Sequence, residues 1–166
     1  MATAKNYQPS DLNLQITTGA WTWATTSNIQ TFKHTAAAES SIVSVPVPDP
    51  KLSGKTQNAP SIITAAYTVV TADLSAAPTA VLNKYSYAAS TGVTTRSAVT
   101  QATITFGGVD TTGVAAGAAA AGTHTVIIRP ATVAALADNE KYLVEITFPC
   151  ALTSAVALTN FEFTYA

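Results

Sequence analysis

The feature that most restricts the fold of this 166-residue chain is the strict alternation of apolar and polar residues near its C-terminal end. In KYLVEITF, residues 141–148, one face carries Tyr142, Val144, Ile146 and Phe148. The closing residues NFEFTYA, 160–166, place Phe161, Phe163 and Tyr165 on one face in the same way. Alternation with a period of two is typical of strands with one buried face. Both segments are therefore predicted to be strands, and the chain is expected to end inside a sheet.

Eight further segments have strand patterns and are separated by turn sequences such as PDP, SGK and STG. They are residues 12–16, 20–24, 29–34, 40–47, 61–70, 79–87, 98–106 and 123–129. The pattern predicts an all-β protein, an antiparallel β-sandwich of the jelly-roll type with about 8–10 strands and at most one short helix. Helical turns are expected in PATVAALADNE, residues 130–140, because Pro130 suits the first position of a helix.

The length of the chain fits one domain, since domains cluster around about 100–150 residues. The polar segment at residues 1–11 has no period and is predicted to be an N-terminal arm, while residues 12–166 are predicted to form a single β-sandwich domain. Only 10% of the residues are charged, against about 25% in ordinary soluble domains. A surface of small uncharged residues suits close contact with other protein, so we expect a homo-oligomer, specifically a trimer.

The charge and hydropathy patterns argue against two kinds of partner. Eight Lys and Arg residues are scattered along a chain of net charge −1, whereas nucleic-acid binding needs a dense basic stripe. No run approaches the roughly 20 apolar residues of a membrane span, so no membrane partner is expected. The first residues lack the apolar stretch of a secretory signal, and Cys150 has no second cysteine to pair with. We therefore expect synthesis and folding in a cytoplasm.

The reactive residues of the sequence predict no catalytic, cofactor-binding or metal site. No H-x-H, C-x-x-C or carboxylate cluster accompanies His34 or His124, although a metal site needs three or four ligands. Cys150 could be a nucleophile paired with a distant histidine, or a buried inert thiol, as free cysteines usually are. Phosphate-binding glycine motifs and G-x-S-x-G are absent from the sequence. We expect a non-enzymatic protein.

A charge-free run, TTGVAAGAAAAGT at residues 111–123, links two predicted strands. Three glycines interrupt it, and isolated helices below about 12–15 residues are marginal even when rich in alanine, so no helix is expected. Residues 107–122 then form either a mobile surface loop or an interface loop whose small side chains allow close backbone approach. The residues assigned to this interface loop are Thr111, Thr112, Gly113, Val114, Gly117, Ala118, Ala120 and Gly122.

Two pairs of aromatic residues suggest a different use of the surface. Trp21 and Trp23 share a face of one predicted strand, and Tyr85 and Tyr87 share a face of another. Exposed rings of this kind stack on sugars, whereas buried ones are simply core residues. The alternative hypothesis is therefore a carbohydrate-binding β-sandwich or a fibre-like attachment module. Exposure of these four rings separates the two interpretations.

The chain resembles the small β-sandwich structural proteins of tailed-bacteriophage virions, especially capsid decoration (cement) proteins. The likeness rests on Ala- and Thr-rich strands, the arm at residues 1–11, the stretch at residues 33–50 and the end of the chain from LADNEKYLVEITF onward. It implies a jelly-roll protomer, often trimeric, that binds the major capsid protein on the outer capsid surface of a virion assembled in the host cytoplasm. It implies no catalytic residue. A cupin-like enzyme, a third hypothesis, would need a metal near His34 and His124.

Overall fold

The structure is a computed structural model. It describes residues 3–26, 29–34, 40–48, 57–58, 60–70, 73–88, 90–98, 101–106, 119, 121–130, 135–136, 140–151 and 154–165. Within these residues the protein is nearly all-β, with fourteen strands, one 3-10 turn at Pro9–Asp11 and a single residue, Ala119, in helical conformation. The described residues include no helix long and apolar enough to cross a membrane.

The fourteen strands fall into two large antiparallel sheets and one small pair. They are β1 (Thr3–Tyr7), β2 (Gln15–Thr18), β3 (Trp21–Thr26), β4 (Ile29–His34), β5 (Ser40–Pro46), β6 (Gln57–Asn58), β7 (Ile62–Val69), β8 (Thr79–Ala88), β9 (Val93–Ala98), β10 (Gln101–Phe106), β11 (Gly122–Pro130), β12 (Ala135–Leu136), β13 (Glu140–Pro149) and β14 (Val156–Tyr165). The ten predicted strands correspond to ten of these, and β1, β6, β9 and β12 are additional.

Strand β14 lies at the centre of a seven-stranded sheet. Six of its strands follow the order β10-β11-β7-β14-β4-β3, and the seventh, β1, also pairs with β14. One edge of β14 pairs with β7. The other edge pairs first with β4, through Val156–Leu158, and then with β1, through residues 161–165. The alternating segment at residues 160–165 thus lies inside the sheet, as its pattern predicts.

The second sheet has five strands in the order β2-β5-β13-β8-β9, with β13 at its centre. Every pairing in both sheets is antiparallel. The chain crosses repeatedly from one sheet to the other, so that sequence neighbours such as β13 and β14 lie in different sheets. This is the predicted β-sandwich of the jelly-roll type, and the prediction of the fold class is confirmed.

Alternate residues of β13 and β14 meet in the core between the sheets. The buried residues of these strands include Tyr142, Val144, Ile146, Phe148, Phe161, Phe163 and Tyr165. Phe148 of the five-stranded sheet contacts Tyr67 of the seven-stranded sheet edge to face, with ring centroids 5.3 Å apart. Burying each such side chain stabilises the fold by about 1.5–3 kcal/mol. The predicted burial of both aromatic faces is confirmed.

The helical turns predicted in residues 130–140 are wrong for the part of that segment that the structure describes. Pro130 is the last residue of β11, and Ala135–Leu136 forms β12, which pairs with β6. The helix preference of alanine and leucine amounts to less than about 1 kcal/mol per residue, and strand pairing outweighs it here. The strand predicted over 98–106 corresponds to β10, Gln101–Phe106, whereas Ala98 is the last residue of β9 in the other sheet.

The segment predicted to be an N-terminal arm contributes a strand to the sandwich. Its residues Thr3–Tyr7 form β1 and pair with β14 in register, from Thr3 opposite Tyr165 to Tyr7 opposite Phe161. Tyr7 also packs on Phe163, with ring centroids 5.8 Å apart. The polar sequence of β1 is compatible with this position, because the strand pairs only with the C-terminal half of β14.

Burial of Tyr67 makes the stability of the fold depend on pH in the alkaline range. Desolvation raises its pKa above the ordinary 10.0. The unfolded chain therefore loses this phenolic proton first, so the contribution is fully present below pH 10 and is lost as pH rises from there toward the folded pKa. In that window Tyr67 should lower the free energy of unfolding by about 1.4 kcal/mol per pH unit. Urea unfolding measured at about pH 9 to 11 should show that the free energy of unfolding depends less on pH in Tyr67→Phe than in the parent. Equal pH dependence in the two proteins would contradict this.

Candidate functional site

The candidate site lies on the face of the five-stranded sheet that points away from the core, called here the outer face. On β8, Ala80 and Leu82 are buried in the core, so alternation turns the odd-numbered residues to the other side. On β13 the same reasoning applies to the residues between the buried ones. The outer face therefore carries Val81, Asn83, Tyr85 and Tyr87 of β8 and Lys141, Leu143, Glu145 and Thr147 of β13.

The carboxylate of Glu145 joins three strands on the outer face. The phenol of Tyr85, on β8, donates a hydrogen bond to Oε1 of Glu145 at 3.0 Å. The guanidinium of Arg96, on β9, forms an ion pair with Oε2 of the same carboxylate. Tyr85 is in register with Lys141, four residues and so about 14 Å along β13 from Glu145. The side chains of Tyr85 and Glu145 must therefore lean toward each other along the surface of the sheet.

Asn83 lies under this network. It is in register with Leu143, midway between Lys141 and Glu145 on β13, and so occupies the row that Tyr85 and Arg96 cross to reach the carboxylate. Although Asn83 belongs to the outer face, only 2% of it is exposed. Its Nδ2 has no hydrogen-bond partner among the described residues. The crossing side chains explain how a polar residue on a solvent-facing surface becomes buried.

A pocket of about 450 Å³ opens beside the network, at the end of the sheet where Tyr85 and Lys141 pair. Its volume falls within the roughly 300–1,000 Å³ of small-molecule sites. Strands β2, β5, β8 and β13 all contribute to it. The lining residues are Asn13, Gln15, Pro46, Val47, Tyr85, Lys141, Tyr142 and Leu143. They combine one accessible aromatic ring, apolar contacts and several hydrogen-bonding groups.

The phenol of Tyr85 is held as a neutral donor. Desolvation raises the pKa of Tyr85, and the hydrogen bond to Glu145 and the charge of that carboxylate raise it further, while the charge of Arg96 acts in the opposite direction. The ring is therefore fixed at its hydroxyl end at neutral pH. A ring held in this way loses little rotational freedom when a ligand packs on it.

The structure separates the four aromatic residues that the sequence suggested for sugar stacking. Tyr85 lines the pocket, and Tyr87, on the same face, is 50% exposed. Trp21 is only 6% exposed and stacks on Phe32 with ring centroids 5.0 Å apart, so it is a core residue and not a surface platform. Trp23 is 52% exposed but lies on β3 of the seven-stranded sheet. The two tyrosines can act together, and Trp23 cannot join them.

Most of the predicted interface loop, Thr111, Thr112, Gly113, Val114, Gly117, Ala118 and Ala120, lies outside the described residues. Gly122 is the first residue of β11, with a φ of 136° that disfavours any residue with a side chain. The carbonyl of Ala119 accepts a hydrogen bond from the amide of Leu74 at 2.8 Å. The amide of Ala121 donates to Oδ1 of Asp73 at 2.7 Å. The described end of this loop is thus bound to its own chain.

Cys150 and His34, which the sequence could not pair, lie together in the core. Sγ of Cys150 is 3.4 Å from Nδ1 of His34, and both residues are buried. The His34 ring also packs on Trp21, with centroids 5.3 Å apart. Gly19 packs against the other side of the His34 ring. Its φ is 91°, and a Cβ at this position would clash with Ser41 and press on His34, so the position requires glycine. The pair has the atoms of a thiol–imidazole nucleophile but no exposed surface for a substrate, so its observed role is packing.

The second histidine lies elsewhere. The ring of His124, on β11, packs on Tyr67 with centroids 5.5 Å apart, and two strands, β7 and β14, separate β11 from the strand of His34. Within the part of the chain that the structure describes, no group of three or more His, Cys, Asp and Glu residues could hold a metal ion.

Sequence reasoning missed Arg96, Glu145 and Lys141 as site residues. Lys141 and Glu145 lie on the polar face that alternation predicts for residues 141–148, and alternation alone cannot distinguish a solvated face from a binding face. Arg96 lies on β9, which has no alternation of apolar residues and was not predicted as a strand. Its partner Glu145 is 49 residues away in sequence, so only the sheet order brings the two together.

Comparison with known proteins identifies similar folds only. No protein-family model and no curated protein matches the chain. Among solved structures, the chain is similar to a family two carbohydrate esterase from Cellvibrio japonicus, with 13% identity and a TM-score of 0.48, covering 100% of this chain and 35% of the esterase. It is also similar to the mannan-recognising carbohydrate-binding module TmCBM27, with 12% identity, a TM-score of 0.46 and coverage of 100% and 99%.

A third similar structure is the low-affinity xylan-binding module CBM86 from Roseburia intestinalis. Its identity to this chain is 14% and its TM-score 0.43, covering 97% of this chain and 94% of the module. The chain spans about a third of the esterase but nearly all of the two modules. At these identities the likeness concerns the β-sandwich fold.

The contacts of Glu145 with Tyr85 and Arg96 predict that two substitutions shift the pKa of Tyr85 in opposite directions. Glu145→Gln removes the carboxylate that raises the pKa of Tyr85, so this pKa should fall toward its ordinary value. Arg96→Gln removes a cation that lowers the same pKa, so it should rise. NMR titration of ring-labelled tyrosine measures both, with Tyr142 as an internal reference on the opposite face. Shifts of the same sign in both variants would show that Tyr85 does not contact this ion pair in solution.

Proposed function

We propose that the protein is a non-enzymatic carbohydrate-binding β-sandwich, and that the outer face of its five-stranded sheet binds a glycan chain. The observation that carries the proposal is the ring of Tyr85, which Glu145 fixes at the wall of a pocket of about 450 Å³. The half-exposed ring of Tyr87 lies two residues farther along the same strand face. Together they offer two aromatic surfaces about 7 Å apart along the strand.

The chemistry of the lining suits a sugar. A pyranose ring has apolar C–H faces, which pack on aromatic rings, and hydroxyl groups around its edge, which need hydrogen-bond partners. Tyr85 and Leu143 supply apolar contacts, while Asn13, Gln15 and Lys141 supply donors and acceptors at the pocket wall. A few polar groups beside apolar and aromatic contacts are typical of sites that orient a bound small molecule.

The pocket favours binding over hydrolysis. Glycoside hydrolysis uses a pair of carboxylic acids on either side of the scissile bond. The described residues that line the pocket include no carboxylate. The nearby carboxylate of Glu145 is already engaged by Tyr85 and Arg96. This arrangement supports a binding role for the face.

Affinity electrophoresis or calorimetry against a panel of soluble plant, microbial and algal polysaccharides tests the proposal. Tyr85→Ala and Tyr87→Ala should each weaken binding about tenfold, equivalent to about 1.4 kcal/mol, because each removes one stacking surface. Trp23→Ala is the matched control, since it removes an equally exposed aromatic ring from the other sheet. Binding that is lost in Trp23→Ala and kept in both tyrosine variants would place the glycan site elsewhere.

The virion role is a separate hypothesis about other surfaces of the molecule. A capsid decoration protein that forms a homotrimer and binds the major capsid protein could carry a glycan-binding face as well. The trimer, the capsid partner and the position on the virion stay predictions. Light scattering tests self-association: a particle of three 17.0 kDa protomers would support the trimer. A single-protomer mass at every concentration would contradict it.

A further inference from the structure

Lys141 is an exposed cation inside the proposed glycan site. It lines the pocket and is in register with Tyr85, so the two residues are direct cross-strand neighbours on the outer face. Side chains at paired positions of antiparallel strands have Cβ atoms about 4.5–5.5 Å apart. Among the described residues that line the pocket, Lys141 is the only one with a charged side chain. The pocket therefore has a positive charge beside its aromatic surface.

The neighbouring acidic groups do not neutralise Lys141. Glu145, on the same face, is paired with Arg96 and accepts the hydrogen bond of Tyr85. Glu140 precedes Lys141 and so points to the opposite side of the sheet, where its Oε1 lies 2.7 Å from Nζ of Lys84. Both carboxylates of β13 are thus engaged by other cations. Within the described residues, no carboxylate pairs with Lys141, which leaves its ammonium group available to a ligand.

We propose that the pocket selects an acidic glycan, one in which a uronic acid residue stacks on Tyr85 and places its carboxylate against Lys141. This inference rests on the proposed carbohydrate-binding function and adds the class of sugar. A uronate fits the spacing because its carboxylate is attached directly to the sugar ring. An anion on the ring therefore lies within one side-chain length of the stacking surface, which is where cross-strand pairing puts the ammonium group. Asn13 and Gln15 remain for the hydroxyl groups.

The contribution of Lys141 should be moderate and should depend on salt. The pair would be partly exposed, and exposed ion pairs contribute up to about 1 kcal/mol, equivalent to about fivefold in affinity. Screening lengths fall from about 30 Å at 0.01 M to about 8 Å at 0.15 M ionic strength, so the preference should shrink with added salt. Stacking on Tyr85 should change little over the same range, because it involves no net charge.

The test compares polygalacturonate with its fully methyl-esterified form, two polymers with one backbone that differ in charge. Binding to the free acid should be about fivefold tighter at low ionic strength. Lys141→Gln should remove this difference while keeping binding to the ester. The matched control is Lys5→Gln, which removes an exposed lysine from β1 of the other sheet and should leave the difference intact.

The outcomes separate this inference from the function on which it rests. Equal binding of acid and ester, or an undiminished preference in Lys141→Gln, overturns the acidic preference while glycan binding stands. Binding of dextran sulfate but not of polygalacturonate overturns the uronate and assigns the cation to sulfate esters. No binding to either polymer or to any neutral glycan, with the variants folded by circular dichroism, overturns both proposals.

Discussion

The pairing register of β13 between β5 and β8 is the constraint on which both the core and the candidate site depend. It sets Val144 opposite Leu82 on the buried face and Leu143 opposite Asn83 on the outer face. Because side chains alternate with a period of two, a slip by one residue would exchange the two faces. The slip would bring Glu145 into the core, where an unpaired carboxylate costs several kcal/mol. One register therefore buries Tyr142, Val144, Ile146 and Phe148 and places Lys141 and Glu145 on the outer face.

Segments whose own side chains form the core could be predicted from sequence, and segments held by distant partners could not. β13 and β14 each bury every second residue over several positions, and that repetition is visible in the chain itself. β1 is a mostly polar strand whose Tyr7 packs on Phe163, a contact across almost the whole sequence. β12 consists of two residues with helix preference that become extended through pairing with β6. The conformation of β1 and β12 depends on pairing with strands that are distant in sequence, and the local sequence pattern does not reveal such pairing.

The candidate site shows the same division between local and distant information. The period-two spacing of Tyr85 and Tyr87 correctly predicted that they share a face. The same spacing in AWTWA could not predict that Trp21 and Trp23 differ in exposure, because the difference arises from the other sheet. Trp21 meets Phe148 across the core, with ring centroids 5.9 Å apart, whereas Trp23 is half exposed on the edge strand β3. Periodicity assigns a face, and only packing decides whether that face is covered.

Because few residues of this chain are charged, the positions of the charged residues are informative. Only 10% of the residues are charged, yet three of the ten residues of β13 are, namely Glu140, Lys141 and Glu145. The cations that pair with the two carboxylates come from neighbouring strands, Lys84 from β8 and Arg96 from β9. These pairs tie β13 to its neighbours at the surface of the sheet. Both carboxylates are thus paired across strands, and no described carboxylate pairs with Lys141 between them, so the distribution of charge on the outer face follows from sheet order.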